Sequence, residues 1–291
     1  MSAIFLDGVV TAAAAQAELS ARAVAFLATN GRRPGLGTIL VGDDSASARY
    51  VGKKHEACAV HGIESFHVHL PATVSQSEVL AAIDAFNRDV RVDAFIVQLP
   101  LPKQCNEEEA LLAVLPDKDA DGLHPVNLGR LVMGVKAPTA CTPAGIVELL
   151  AHYHVPVSGR HVVIVGRGLT IGRPLSLLLA LKRPNANAAV SVVHTGVSDL
   201  RTYTLQGDVL VAAAGSPGMI TPDMVKPGAA VVSAGQTWEG RKLIPDVVEE
   251  VAEVAGWITP RLGGVGPMTV ALLLRNTVDA AERALVTNLA G

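Results

Sequence analysis

The chain has 291 residues, of which 49% are hydrophobic and 18% are charged, and its formal net charge is −3. This composition can fill a sizeable core, so it excludes a disordered chain, and it lacks the basic excess of a nucleic-acid-binding protein. No run reaches the roughly 18 apolar residues that cross a bilayer, and the length predicts about two domains at roughly 150 residues each.

The first half of the chain alternates strand-like and helix-like segments. Apolar runs predict strands at residues 37–41, 63–70 and 93–99. Helix-like segments follow them along the chain, at residues 45–61, 75–88 and 106–115. Because strands that alternate with helices form parallel sheets, this half predicts an α/β domain.

A segment rich in proline, threonine and glycine, residues 136–145, predicts a domain junction. Strand-like runs then resume, at residues 161–165, 190–194, 208–213 and 229–233 and near Trp257. The last segment, residues 269–289, predicts a long apolar helix. The second half therefore predicts a further α/β domain.

A glycine-rich turn follows the strand predicted at residues 161–165. Gly166, Gly168 and Gly172 form a G-x-G-x-x-x-G pattern that leads into a helix. Glycines let the main chain approach a pyrophosphate closely, and the N–H groups at a helix N-terminus attract its charge. A tight strand–helix turn without a ligand is the alternative for the pattern in isolation, and its context favours a dinucleotide site.

The surroundings of this turn favour NADP over NAD. An NAD site usually carries an acidic residue about 20 positions further on, where it binds the ribose hydroxyls. Here the next strand ends instead in residues 193–196, Val-His-Thr-Gly. Arg167, Arg173 and the hydroxyl of Thr195 can accommodate an extra phosphate, so we predict NADP as the cofactor.

Two polar positions in the first half are candidates for chemistry. Tyr50 and Lys54 are four residues apart, so they share one face of the predicted helix. Gln98 follows an apolar strand, at the carboxyl end where open α/β sheets bind ligands. Ordinary amphipathic surface and a strand-end glutamine bonded to a loop are the alternatives.

Residues 117–122 match the start of a calcium-binding EF-hand loop, D-x-D-x-D-G. The twelfth position should be glutamate, but it is Leu128, so we reject calcium. His67 and His69 face the same side of a strand without a third ligand in view. We therefore predict no metal site, and we expect the acidic cluster to present a carboxylate to a ligand's amino and ring N–H groups.

The three cysteines are Cys58, Cys105 and Cys141, and they form no C-x-x-C pair. This usage argues against a disulfide framework and against structural zinc, and it fits a reducing cytoplasm. The N-terminus has no basic leader of the secretory kind, which leads to the same expectation.

Six short segments together span nearly the whole chain. They are YVGKK at 50–54, VQLPLP at 97–102, PDKDADGLHPVN at 116–127, CTPAG at 141–145, GRGLTIGRP at 166–174 and GGVGPMT at 263–269. In this order they resemble the bifunctional methylenetetrahydrofolate dehydrogenase/methenyltetrahydrofolate cyclohydrolase (FolD) family.

The resemblance implies a chain of two α/β domains. Residues 1–140 would form a folate-binding catalytic domain, to which the C-terminal helix, residues 270–291, returns. Residues 141–269 would form a Rossmann-like NADP-binding domain, with the active site in the cleft between the two. It also implies a homodimer joined through the nucleotide domains.

The resemblance further implies the reaction and the residues that perform it. Methylenetetrahydrofolate would be oxidised with NADP to the methenyl form, which water would open to 10-formyltetrahydrofolate. Lys54 matches the catalytic lysine, Tyr50 the tyrosine that packs on the folate ring, and Gln98 the glutamine that orients the lysine. Asp121 matches the aspartate that grips the pterin, and it completes the predicted catalytic set.

The remaining site residues also follow from the family's motifs. The predicted substrate-binding residues are Tyr50, Val97, Gln98, Leu99, Asp121, Gly264 and Pro267. The predicted cofactor-binding residues are Gly166, Arg167, Gly168, Gly172, Arg173, Thr195 and Gln236. General chemistry agrees with the role of Lys54, because water attack needs a proton acceptor and burial beside a cation favours a neutral amine.

Departures from the family pattern cluster in the nucleotide half. The family usually has serine at Gly168, Asp-Val-Gly-Ile at residues 233–236 and proline at Leu262. Its His-Ser-Lys-Thr segment is His-Thr-Gly-Val at residues 194–197, and its Gly-Asp-Val is Pro-Asp-Val at residues 245–247. These changes bear on cofactor affinity and preference rather than on folate chemistry.

Two other functions remain open from the sequence. A different two-domain NADP oxidoreductase, such as a shikimate-dehydrogenase-like enzyme, shares the architecture and the glycine turn. It gives no reason for VQLPLP or GGVGPMT. A nucleotide-binding homologue that has lost catalysis fits the departures, but it does not explain why Tyr50, Lys54, Gln98 and Asp121 are all present.

Overall fold

The computed structural model describes residues 3–239 and 242–289, which form two compact units. The six-stranded unit contains the chain up to Ala13 together with Ala140–Thr269. The three-stranded unit contains Ala14–Thr139 and the chain from Val270 onward. Among the described residues, no helix is both long and apolar enough to cross a membrane.

Helices and strands alternate along most of the chain. The α-helices are α1 (Gly8–Asn30), α2 (Ser45–Val60), α3 (Gln76–Arg88), α4 (Glu107–Ala113), α5 (Pro125–Val132), α6 (Cys141–His152), α7 (Gly172–Ala180), α8 (Leu200–Thr204) and α9 (Val265–Leu289). The strands are β1 (Ile4–Phe5), β2 (Gly35–Val41), β3 (Glu64–Leu70), β4 (Ala94–Val97), β5 (His161–Val165), β6 (Ala189–Val193), β7 (Val209–Ala212), β8 (Ala230–Ser233), β9 (Gln236–Glu239), β10 (Lys242–Pro245) and β11 (Trp257–Ile258).

The three-stranded unit is built on a parallel sheet in the order β3-β2-β4. Every residue of the central strand β2 is buried, as expected of a strand with neighbours on both edges and both faces. Gly37 in β2 has no room for a side chain, because a Cβ there would lie 2.8 Å from atoms of Phe86 and Phe95. These two rings meet edge to face at 5.5 Å in the core of the unit.

The C-terminal part of α9 belongs to this same unit. The side chain of Asn276 donates to the carbonyl oxygens of Ala120 (2.8 Å) and Thr139 (3.0 Å). Arg22 of α1 forms ion pairs with Asp279 (2.5 Å) and Glu282 (2.6 Å). The predicted return of the C-terminal helix to the folate-binding half of the chain is therefore confirmed, as is the two-domain α/β class.

The six-stranded unit has a sheet in the order β1-β11-β8-β7-β5-β6, and all of its strands are parallel. Strands β7 and β8 are buried throughout and β5 nearly so, since they lie inside the sheet. Strands β9 and β10 form a separate antiparallel pair, in which Gln236 lies opposite Pro245 and Glu239 opposite Lys242.

The first strand of the chain does not lie in the unit predicted for it. Residues 1–140 are predicted to form the folate-binding domain, whereas β1 pairs with β11 at the edge of the six-stranded sheet. The main-chain N–H groups of Ile4 and Leu6 donate to the carbonyl oxygens of Gly256 and Ile258. A two-residue strand carries no periodic pattern, so its partner is decided by these non-local hydrogen bonds.

Candidate functional site

Lys54 is a buried amine on α2. Asp44 caps the N-terminus of this helix by accepting a hydrogen bond of 2.8 Å from the N–H of Ser47. The side chain of Lys54 points inward, and the residue is only 3% exposed. Its Nζ lies 4.4 Å from the centre of the Tyr50 ring, one helical turn away, as the four-residue spacing predicts.

Gln98 meets Lys54 across the three-stranded unit. Strand β4 ends at Val97, and the N–H of Gln98 continues the pairing by donating to the carbonyl oxygen of Ile39 (2.8 Å). The Oε1 of Gln98 accepts a hydrogen bond of 3.1 Å from Lys54 Nζ. Its Nε2 donates to the carbonyl oxygen of Leu99 (2.8 Å), so the amide oxygen is turned towards the amine.

A loop built around Asp119 carries Asp121. The buried Asp119 carboxylate accepts hydrogen bonds from the N–H groups of Gly122 (3.0 Å) and His124 (2.8 Å) and from the amide of Asn127 (2.9 Å). This loop is also tied to the end of the sheet, where the N–H of Ala120 donates to a carbonyl oxygen of β4. Asp121 itself is half-buried.

The charges of these residues influence one another. Burial raises the pKa of the Asp121 carboxyl above its ordinary value. The ammonium charge of Lys54 opposes this shift, and the nearby Asp119 adds to it. The three-stranded unit thus gathers an amine, an amide, an aromatic ring and a carboxylate that are far apart in the sequence.

Two other predicted residues of this unit adjoin Gln98 in the chain. Val97 is 3% exposed and packs in the core of the unit. Leu99 is half-buried. Gly264 and Pro267 belong to the six-stranded unit, where Gly264 directly precedes α9 and Pro267 lies in its first turn.

The acidic and histidine side chains that suggested metals have other partners. Asp117 pairs with Arg130 at 3.1 Å. His67 bonds the Thr38 hydroxyl at 2.9 Å, and His69 bonds the carbonyl oxygen of Gly42 at 2.9 Å. Within residues 3–239 and 242–289, no group of three or more His, Cys, Asp or Glu residues is arranged to hold a metal ion.

All three cysteines are buried, and none of them forms a disulfide. Burial raises the pKa of the Cys58 thiol to about 12, which leaves it protonated and unreactive at neutral pH. Cys141 opens α6 as a packed residue, 3% exposed.

The glycine turn between β5 and α7 forms a tight cradle. Gly166 has φ of 127°, and a Cβ on it would lie 2.1 Å from the carbonyl oxygen of Ala213. A Cβ on Gly172 would lie 2.1 Å from the carbonyl oxygen of Gly166. At Gly168, by contrast, nothing lies within 4 Å of the position of a Cβ. The first and last glycines are therefore required by close packing, as in a pyrophosphate-binding turn.

Helix α7 begins at Gly172 without a side-chain cap. The N–H of Arg173 donates to the carbonyl oxygen of Gly168 (3.1 Å) and Pro174 has no N–H, so an anion here would be attracted mainly by the helix dipole. The other predicted cofactor residues are exposed on the same unit and are Arg167, Arg173, Thr195 and Gln236. These residues suit a phosphorylated dinucleotide, since two cations and a hydroxyl accompany the glycine cradle.

Sequence reasoning missed Asp246 as a candidate for this site. It is fully buried, and its Oδ2 accepts hydrogen bonds from the N–H groups of Ala214 (2.7 Å) and Gly215 (3.0 Å). In the sequence this residue stands out only as part of the Pro-Asp-Val segment at residues 245–247, where the family usually has Gly-Asp-Val.

Comparison with known proteins gives two family matches. The model of the tetrahydrofolate dehydrogenase/cyclohydrolase catalytic domain matches residues 6–121. The model of the tetrahydrofolate dehydrogenase/cyclohydrolase NAD(P)-binding domain matches residues 140–285.

Individual relatives agree with these matches. The bifunctional protein FolD of Syntrophotalea carbinolica is 60% identical over 282 residues, which are 97% of each chain. The structure of the bifunctional FolD enzyme of Campylobacter jejuni has a TM-score of 0.92 at 40% identity and covers 97% of this chain and 100% of its own. The Trypanosoma brucei methylenetetrahydrofolate dehydrogenase-cyclohydrolase, solved with NADP and an inhibitor, has a TM-score of 0.92 at 37% identity and covers 98% and 99%.

Proposed function

Because the chain belongs to the tetrahydrofolate dehydrogenase/cyclohydrolase family, we infer that the Lys54 cluster and the glycine cradle serve its two reactions. The protein is a bifunctional enzyme. It oxidises 5,10-methylenetetrahydrofolate to the 5,10-methenyl form with NADP, and it hydrolyses that product to 10-formyltetrahydrofolate. The single observation that carries the assignment of residues is the hydrogen bond of 3.1 Å between the buried amine of Lys54 and Gln98.

The alternatives raised by the sequence do not account for these findings. A shikimate-dehydrogenase-like enzyme would share the two α/β units and the glycine turn. It would not explain matches to the models of both domains of one folate enzyme, nor 60% identity along nearly the whole chain. A non-catalytic homologue would not explain why the amine of Lys54 is buried and hydrogen-bonded to Gln98.

NADP supplies the acceptor for the hydride that leaves the one-carbon bridge. The chain contributes binding and orientation. Gly166 and Gly172 admit a pyrophosphate against the main chain, and the positive end of the α7 dipole, which has no side-chain cap, attracts its charge. Arg167, Arg173 and the hydroxyl of Thr195 are our candidates for the phosphate that distinguishes NADP from NAD.

We assign proton transfer in the hydrolysis to Lys54. Water that attacks the methenyl carbon must lose a proton, and a neutral amine can accept it. Burial disfavours a charged amine, and a cationic methenyl group in contact with it would do so further. The Oε1 of Gln98 orients the amine through its hydrogen bond, and the Tyr50 ring closes its other side.

We assign recognition of the pterin to Asp121. Its two oxygens can accept parallel hydrogen bonds from the amino group and the ring N–H of an aminopyrimidine edge. The loop supports this role, because Asp119 holds the N–H groups of Gly122 and His124 after Asp121, and the N–H of Ala120 before it donates to β4. Burial of the carboxyl strengthens any hydrogen bond that it makes.

We also propose that the enzyme is a cytoplasmic homodimer joined through its six-stranded units. Ile4 and Phe5 of the edge strand β1 are 52% and 58% exposed, which suits a contact surface. Three cysteines that form no disulfide suit a reducing compartment. Light scattering after gel filtration would give twice the mass of the chain, and a monomer at micromolar concentration would contradict the proposal.

The activity is tested by a spectrophotometric assay. Purified protein receives methylenetetrahydrofolate with NADP and, separately, with NAD, while reduced cofactor and methenyl absorbance are followed together. NADP reduction with little methenyl accumulation is expected if both activities are present. NADP reduction accompanied by accumulation of the methenyl form would contradict the proposed role of Lys54. A lower KM for NAD than for NADP would contradict the cofactor preference.

A further inference from the structure

Asp246 lies at a junction of loops in the six-stranded unit. The residue is fully buried and follows β10. Its Oδ2 accepts the N–H groups of Ala214 and Gly215, which belong to the loop that follows β7. Its own N–H donates to the carbonyl oxygen of Gly235, which belongs to the loop that follows β8.

The loop after β8 is shaped around this carboxylate. A Cβ on Gly235 would lie 1.9 Å from Asp246 Oδ2 and 2.5 Å from its carboxyl carbon. A side chain at this position would therefore displace the carboxylate from the two N–H groups that it binds. The Asp246 carboxylate can therefore keep its two hydrogen bonds only because residue 235 is a glycine.

These loops reach the glycine cradle through the main chain. The N–H of Ala213 donates to the carbonyl oxygen of Val165 (2.7 Å), the last residue of β5. The carbonyl oxygen of Ala213 then fills the space where a side chain of Gly166 would be. Because β7 and β8 are neighbours in the sheet, both loops lie at the edge where parallel strands end and ligands bind.

We propose that Asp246 is a positioning residue for the nicotinamide nucleotide. Its carboxylate fixes the positions of the loops after β7 and β8 relative to Gly166. In this way it determines the shape of the cofactor site without contacting the reacting atoms. The proposal rests on the proposed function and adds a residue to its NADP site. Burial raises the pKa of the Asp246 carboxyl, while the N–H groups of Ala214 and Gly215 lower it.

The first test compares Asp246→Ala with Asp246→Asn. Alanine removes the acceptor for two buried N–H groups, whereas asparagine keeps one oxygen in its place. Titration calorimetry with NADP should show a Kd about tenfold higher for Asp246→Ala, and a value near that of the wild type for Asp246→Asn. The KM for NADP should rise in the same proportion.

The second test uses Gly235. Gly235→Ala leaves the acid in the chain but drives it from its site, so we expect it to weaken NADP binding as Asp246→Ala does. In the Asp246→Ala background the added methyl group no longer meets an oxygen. The double variant should therefore bind NADP no more weakly than Asp246→Ala alone. Gly235→Ala and Asp246→Asn also keep the proposal testable if Asp246→Ala does not fold.

Hydrolysis of added methenyltetrahydrofolate, without NADP, is the internal control. The groups assigned to it lie in the three-stranded unit, so its kcat/KM should stay within about twofold of the wild type in every variant. NADP binding equal to that of the wild type in Asp246→Ala and Gly235→Ala would overturn the proposal. A parallel loss of hydrolysis and NADP binding would also overturn it, because it would indicate general damage. If the wild type itself does not bind NADP, the proposed function fails instead.

Discussion

Lys54 and Lys53 show how two adjacent side chains of one type come to lie in different environments. Lys54 is 3% exposed between the ring of Tyr50 and the amide of Gln98. The neighbouring Lys53 is exposed on the same helix. The two residues share their sequence surroundings, so the difference between them comes from the face of α2 on which each one lies.

This pair allows a matched test. Lys54→Met keeps the apolar stem and removes the amine, so we expect cyclohydrolase kcat to fall by about 10²-fold or more. Hydride transfer depends mainly on orientation, so NADP reduction should continue and the methenyl form should accumulate. Lys53→Met is the control and should behave as the wild type. Normal hydrolysis by Lys54→Met would disprove the assignment.

At the scale of single elements, the strand–turn–helix from β5 to α7 shows that glycines of one motif are not equivalent. The first and third glycines have main-chain oxygens 2.1 Å from the position of a Cβ. The middle one, Gly168, faces open space, although it lies in the same turn. The family's usual serine at this position can therefore be replaced by glycine without any change in packing.

The contrast predicts different costs for the same substitution. Gly166→Ala must move the loop after β7 and also places alanine at a positive φ, so the Kd for NADP should rise by about tenfold or more. Gly168→Ala should change it by no more than about twofold. Fluorescence titration with NADPH would measure both, and equal effects would show that the cradle is not set by these close contacts.

At the scale of the whole molecule, a pair of histidines in the three-stranded unit links stability to pH. The rings of His55 and His67 meet edge to face at 5.0 Å, and both contact the Thr38 hydroxyl. Burial lowers the pKa of both histidines, and neighbouring positive charges lower it further. Each therefore stabilises the fold while neutral, above the pKa of about 6.5 that it has when unfolded.

This stabilisation should be lost as the pH falls from about 6.5 through the lowered pKa values of the folded state. We expect the Tm of the wild type to drop more between pH 7.5 and pH 5.5 than that of His67→Gln, which cannot be protonated. Calorimetry of both proteins at the two pH values gives the difference. An equal drop in both would show that the histidine pair does not contribute.

Local patterns in the sequence are enough to identify most elements and the chemistry of the turns. Strand β5 is predicted at its observed bounds, and β2, α2 and α3 to within two residues. The two strands are recognised by short, continuous apolar runs, which are typical of strands buried on both faces. The four-residue spacing of Tyr50 and Lys54 and the position of Gln98 after a buried strand are local features as well. The order of the six motifs is sufficient to suggest the family.

Tertiary structure decided which of these residues meet. Lys54 and Gln98 are 44 positions apart, and only the pairing of β2 with β4 brings the amide to the amine. Asp246 accepts a hydrogen bond from the N–H of Ala214, which lies 32 positions earlier in the chain. Strand β1, the first of the chain, pairs with β11, the last. Such contacts depend on the order of strands in a sheet, which leaves no periodic trace in the sequence. The residues of many elements could therefore be predicted, but their partners could not.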